Sequence, residues 1–220
     1  MNLIITGATG TAGSAALQEA LQAKDIEKVT VLTRRPLGFS HPKLVEVIHD
    51  DFNNYEKIKD ALANHDGCLW CLGISQSGLS EAEYLQITYN YALAGAQAMG
   101  AVNPRFIFCF LSGQGADSKE KSHILFARVK GQTENALMAL PHPRVFCFRP
   151  GFIHSPTSAP KTWLERWIAK PLAPFLYKFA PGLIISASGL GRAMIQIIRS
   201  KTGKSILEND DIFFLSKYET

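Results

Sequence analysis

The segment LIITGATGTAGSAAL, residues 3–17, limits the possible fold more than any other part of this chain. An apolar, β-branched run closes at Thr6, glycines follow at positions 7, 10 and 13, and an alanine-rich stretch with helical spacing starts at Thr11. Strand, tight turn and helix are therefore expected in immediate succession. In that setting each glycine has its own task. Gly7 permits the turn, Gly10 leaves bare backbone that an anion can approach, and Gly13 lets the helix pack on the strand. The amides of the helix N-terminus then face the anion. The intervening Ala8, Thr9, Thr11 and Ala12 complete a loop of the kind that cradles a dinucleotide pyrophosphate, and a plain tight turn is the competing reading.

Beyond this loop, strand-like and helix-like stretches alternate. Apolar runs occupy residues 2–6, 28–33, 44–49, 67–72, 105–111 and 144–149, and helical spacing marks 11–23, 55–64, 80–100 and 122–140. Near-continuous apolar strands separated by helices predict a parallel sheet buried on both faces and wound by right-handed crossovers. The expected fold class is α/β, a doubly wound Rossmann-type sheet, as one domain over residues 1–220. Within it, residues 152–185 read as a small C-terminal cap rich in proline and aromatics, followed by a helix near 187–200 and a strand-like end.

The chain opens directly on a strand, without the basic and apolar regions of a secretory leader. Its longest uncharged apolar run, 179–191, is interrupted by proline and glycine and is shorter than the roughly 20 residues of a membrane span. The net charge of +4 comes from interleaved charges, without the basic block of a nucleic-acid partner. A modest attraction for anionic ligands remains. Cys68 and Cys71 have the spacing of a redox or zinc pair, yet on a strand two residues three apart point to opposite faces. Cys109 and Cys147 also fall within apolar strands, so the four cysteines read as core residues of a reduced, cytoplasmic protein.

At the end of the second strand, where folds that prefer NAD carry an acidic residue for the ribose 2′-hydroxyl, this chain has Thr33-Arg34-Arg35. Guanidinium groups match a phosphate through paired hydrogen bonds, so NADP, and NADPH over NADH, fits better. Two solvated surface arginines are the alternative. Together with HDDF at 49–52, CLG at 71–73, LSGQGAD at 111–117, FxxxK at 126–130 and FRPG at 148–151, these motifs resemble the atypical short-chain dehydrogenase/reductase family. The resemblance lies near its Tat-interacting-oxidoreductase-like, NmrA-like and epimerase-like branches and runs from Met1 to the last helix. It implies pyrophosphate on residues 7–13, the 2′-phosphate on Arg34 and Arg35, and adenine on Asp51 and Phe52. It further implies ribose and nicotinamide along Cys71, Leu72 and Gly73, and the nicotinamide ribose on Lys130. Pro150, Gly151, Phe152 and Ile153 would close over the nicotinamide, with Ser112 orienting substrate.

The family's active helix carries tyrosine one turn before lysine, so that the lysine charge lowers the phenol's pKa for proton exchange. Here the position is Phe126, which has no proton to give. Three answers stay open. His123, spaced to share a helical face with Phe126 and Lys130, could donate, as could His154, Tyr89 or Tyr91. The reaction could need no protein acid, as with an activated alkene or iminium acceptor, with solvent or Lys130 managing protons. Or the dinucleotide could be structural or sensed.

Aromatics and lysines interleave over residues 161–179, a pattern suited to an apolar substrate pocket, a partner surface or peripheral contact with a membrane interface, with cap packing as the plain reading. No feature selects an oligomeric state. The expectation is an NADP(H)-dependent oxidoreductase acting on a small apolar or aromatic molecule, against an NADP(H)-binding regulatory protein with little turnover.

Overall fold

The computed structural model describes residues 1–155 and 182–218. Most of the cap expected at 152–185, including the aromatic stretch at 161–179, lies outside the described residues. The N-terminal half runs β1 (Asn2–Thr6), α1 (Thr11–Gln22), β2 (Lys28–Thr33), β3 (Leu44–Ile48), α2 (Lys59–Leu62), β4 (Gly67–Trp70), α3 (Glu81–Leu85) and α4 (Tyr91–Val102). Then follow β5 (Ile107–Leu111), α5 (Leu125–Met138), β6 (Arg144–Arg149), β7 (Phe152–His154), β8 (Ile184–Ser186), α6 (Ala187–Ser200), β9 (Ile206–Glu208) and α7 (Asn209–Leu215).

Among the described residues, seven strands form one parallel sheet in the order β3-β2-β1-β4-β5-β6-β9, and β7 pairs with β8 in a separate parallel ribbon. Chain order reverses between β1 and β4, which places the crevice of such a sheet beyond the carboxyl ends of those two strands. A core on each face explains why the strands carry so little polarity. One face buries Leu3, Ile5, Val29 and Cys109 against Ala16 and Leu17 of α1 and Met194 and Ile198 of α6. The other buries Ile4, Trp70, Phe108 and Cys147 against Ala96 and Met99 of α4 and Leu137 of α5. Cys68 belongs to the second core and Cys71 packs against the first, as strand alternation requires.

Several boundaries differ from the sequence reading, each for a local reason. The stretch at 55–64 folds as a 3₁₀ turn at Glu56–Ile58 followed by one α-turn, and Asn64 leaves it with a positive φ of 60°. The helix expected over 80–100 does start at Ser80, where a reciprocal capping box with Glu83 satisfies its first amides, but it widens to a π turn at Gln86–Asn90. The fourth strand ends at Trp70 because the next two residues bend toward β1. The Leu72 N–H donates to the Thr6 hydroxyl at 3.1 Å. The strand-like C-terminus is β9, and the helix after it was not expected. Its box pairs Glu208 with Asp211, with an acid rather than the usual hydroxyl at the cap.

Helix α6 carries the first core, and its Ile198 side chain, fully buried, lies directly against β4 at Gly67. We expect Ile198→Ala to lower stability by about 2–5 kcal/mol through lost burial and a residual cavity. Urea denaturation would measure this, and a near-zero cost would show that α6 is not clamped to the sheet.

Candidate functional site

The glycine loop has the geometry its spacing predicts. Gly7 adopts φ +67°, and a Cβ there would stand 2.4 Å from the Cys71 carbonyl oxygen, so only glycine lets β1 and β4 meet at the reversal point. Gly13 is equally constrained, with the Gly7 oxygen 2.2 Å from where its Cβ would be. Gly10 is different. It is exposed, its added Cβ would meet only the Gly7 oxygen at 3.3 Å, and it caps α1 without a side-chain hydrogen bond. No acidic residue occupies the first turn of α1. Bare backbone at Gly10, at the N-terminus of a helix, suits the approach of a pyrophosphate. Around it, Ala8 and Ala12 are buried and Thr9 is exposed.

Arg34 and Arg35 are exposed just past β2, and among the described residues neither guanidinium has a hydrogen bond or ion pair. The turn is organised instead by the Thr33 hydroxyl, which donates to the Arg35 carbonyl at 2.8 Å. Asp51 is exposed, with Oδ1 accepting the Asn53 N–H at 3.1 Å. The Phe52 side chain departs from expectation: it is buried in the second core among His49, Tyr55, Trp70 and Tyr91, so its ring is not free to line an adenine pocket. On the other side of the reversal point Cys71 and Leu72 are half-buried, and Gly73 is exposed with open space at its α-carbon. Burial pushes the Cys71 thiol up to about 12, while nearby Lys130 opposes the shift, so it is a thiol rather than a thiolate at neutral pH.

The second half of the site is built by β5, α5 and β6. Ser112, at the end of β5, is buried, and its hydroxyl donates to Glu134 Oε1 at 2.5 Å. Glu134 is wholly buried and takes a forked ion pair from Arg149, which also donates to Glu208 and Ser118. The carboxylates in turn hold the guanidinium firmly in its charged form. The serine proton is therefore committed inward, leaving its oxygen only an accepting role toward a substrate. Sequence reasoning missed Glu134 and Arg149, although Glu134 lies four residues after Lys130 and so on the same face of α5. Lys130 is buried with Nζ donating to the Leu111 carbonyl at 2.8 Å, above the Phe110 ring. Burial pulls its amine down to about 8, against the opposing pull of Glu134.

His123 does not share a helical face with these residues. Helix α5 starts at Leu125 with Ile124 as its cap, and His123 lies before it, exposed. The loop from 113 to 122 is pinned by Asp117, whose carboxylate accepts the N–H groups of Lys119, Lys121 and Ser122, and this draws 122–124 out of the helix. Of the other candidate donors, Tyr91 stacks on Phe52 in the second core, and Tyr89 lines a groove of about 390 Å³ between the π turn and α5. His154 ends β7 opposite Ser186. In the loop after β6, Pro150 is buried with its carbonyl on the Gln114 N–H, Gly151 and Ile153 are half-buried, and Phe152 is exposed.

Phe126 meets Gly113 tip-first. A Cβ on Gly113 would lie 2.6 Å from the ring's Cζ and 3.4 and 3.7 Å from the two Cε atoms, so the ring axis points at residue 113. The Phe126 N–H donates to the Gln76 side chain at 2.8 Å, which fixes the start of the helix. A tyrosine hydroxyl would prolong that axis into the Gly113 backbone. Phe126→Tyr is thus expected to cost about 1–3 kcal/mol through overpacking and to bring no carbonyl reduction. Unchanged thermal stability together with new reductase activity would overturn this. Lys130 generates a second expectation. Its unfolded value is near 10.5 and its folded value about 8, so the unfolded chain binds more protons between them and stability rises with pH across that window. Lys130→Met should flatten this rise in denaturation profiles taken from pH 7.5 to 10.5.

A family model described as NAD(P)H-binding matches residues 7–139, from the glycine loop to the end of α5. Protein HTATIP2 of Rattus norvegicus is 29% identical over 222 residues, covering 98% of this chain and 89% of the relative. Leucinostatins biosynthesis cluster protein T of Purpureocillium lilacinum is 26% identical over 234 residues, covering 91% and 86%. An oxidoreductase of the short chain dehydrogenase/reductase family from Burkholderia thailandensis superposes with a TM-score of 0.66 at 18% identity, over 97% of this chain and 92% of that one. With its glycine loop and its sheet reversal, the chain belongs to the NAD(P)H-binding family.

Proposed function

We propose that this protein binds NADP(H) in preference to NAD(H) and uses it to reduce a small apolar or aromatic molecule. The observation that carries the cofactor preference is the exposed pair Arg34 and Arg35 at the end of β2, beside the glycine loop and without a carboxylate partner among the described residues. A 2′-phosphate there would meet two guanidinium groups, whereas the acid that favours a free ribose hydroxyl is missing. When bound, the dihydronicotinamide supplies a hydride. Residues 7–13 hold the pyrophosphate, Lys130 supplies positive charge beneath the ribose, and Ser112 offers an acceptor at the end of β5. Apolar residues exposed around the strand ends, Ile74, Ile124, Phe152 and Leu183, support an apolar substrate.

Because Phe126 carries no acid and the Ser112 proton is committed to Glu134, the acceptor is best one whose reduction draws its proton from water or from Lys130. The same geometry favours a second reading, an NADP(H)-binding regulatory protein with little turnover. Calorimetric titration with NADPH, NADP, NADH and NAD should show NADPH binding roughly 10–100-fold tighter than NADH, as charged hydrogen bonds to one phosphate allow. The double variant Arg34→Ala, Arg35→Ala should reduce NADPH affinity to that of NADH. An unchanged preference would remove the basis for the NADP reading. Tight binding without turnover on a panel of quinones, enones and iminium compounds would favour the regulatory protein.

A further inference from the structure

A side chain from outside the ribbon of β7 and β8 braces it. Asn209, the first residue of α7, is 2% exposed. Its Oδ1 accepts the Gly151 N–H at 2.7 Å, and its Nδ2 donates to the Ile184 carbonyl at 3.3 Å. A single amide thus binds one backbone group at each strand. The ribbon has little slack: a Cβ on Gly151 would lie 2.3 Å from the Leu183 oxygen, which also accepts the Phe152 N–H at 2.8 Å. Gly151 has no room to move toward β8, so the bond on its N–H, together with those joining Pro150 to Gln114 and Phe152 to Leu183, holds Pro150 to Ile153 in place. Asn209 is itself held in place, because the preceding Glu208 accepts from Arg149 at 3.0 Å and shares the capping box of α7.

We propose that Asn209 is a positioning residue for the nicotinamide half of the cofactor, acting through Gly151 and β7 without touching the cofactor. The proposal rests on the dinucleotide reading above. A ligand that crosses the reversal between β1 and β4 puts its second half over the carboxyl ends of β4, β5 and β6, where residues 150–153 emerge. Asparagine suits the position because it offers an acceptor and a donor on neighbouring atoms. Aspartate keeps the shape but turns an oxygen toward the Ile184 carbonyl, and alanine offers neither group.

The test is calorimetric titration of the wild type, Asn209→Ala and Asn209→Asp with NADPH and, separately, with 2′,5′-ADP, which lacks the nicotinamide half. Both variants should bind NADPH roughly tenfold or more weakly. Both should bind 2′,5′-ADP within about twofold of wild type, because Arg34 and Arg35 follow β2 and the glycine loop follows β1, several strands across the sheet from Asn209 after β9. Undiminished NADPH affinity in the variants overturns the proposal. So does an equal loss for both ligands, which is the signature of general loosening. If wild type binds neither ligand, the cofactor reading fails and this inference with it. Should the alanine variant not fold, the aspartate variant carries the comparison, because its second oxygen is repelled by the Ile184 carbonyl and the side chain shifts off the Gly151 N–H.

Discussion

A wholly buried carboxylate organises the half of the molecule where chemistry would occur. Removing Glu134 from water is costly unless its oxygens find charged or strongly donating partners. Arg149 supplies a fork and Ser112 a hydroxyl, and these come from the ends of two neighbouring strands. Satisfying one group therefore brings the ends of β5, β6 and α5 together, and through Glu208 the start of α7 as well. Lys130 sits one turn earlier on the same helix, close enough to Glu134 for the carboxylate to oppose the loss of its charge. The consequence for function is a commitment. Ser112 gives its proton to the fold.

The other half depends on closeness of backbone rather than on charge. At Gly7 and Gly13 the chain passes so near itself that no side chain fits, and this brings the ends of β1 and β4 together at the reversal of strand order. A dinucleotide spanning that reversal would meet a helix N-terminus and two guanidinium groups on one side, and a buried amine and an apolar rim on the other. Binding and chemistry are thus supported by different physics, close backbone packing in one half and buried polar pairing in the other. A protein can retain the first while altering the second. At Phe126 the space beside Gly113 is filled by packing, with no proton donor at the ring tip.

Much of this was legible in the residues. The order of strands and helices, the glycine turn and the opposite facing of Cys68 and Cys71 follow from periodicity, because side-chain period and glycine sterics are local rules. The failures were also local in form but non-local in cause. Residues 122–124 have no intrinsic objection to a helix, yet Asp117 draws their neighbourhood into a loop. Phe52 has the sequence position of an adenine contact, but a cluster of aromatic rings claims its side chain. The capping box of α7 was present in Glu208-Asn-Asp-Asp211, with acids where hydroxyls are usual.

By itself the sequence determined the fold class, the glycine turn after the first strand and the pair of arginines after the second. Those depend on patterns within a few residues: apolar runs, glycine spacing and a pair of arginines. Only the tertiary structure decided which polar groups remain available for chemistry. Ser112 meets Glu134 across 22 residues, Gly113 meets Phe126 across a loop, and Asn209 reaches Gly151 across 58. Hydrogen-bond capacity is finite, so a group's role depends on which partner reaches it first, and that is a property of the folded chain.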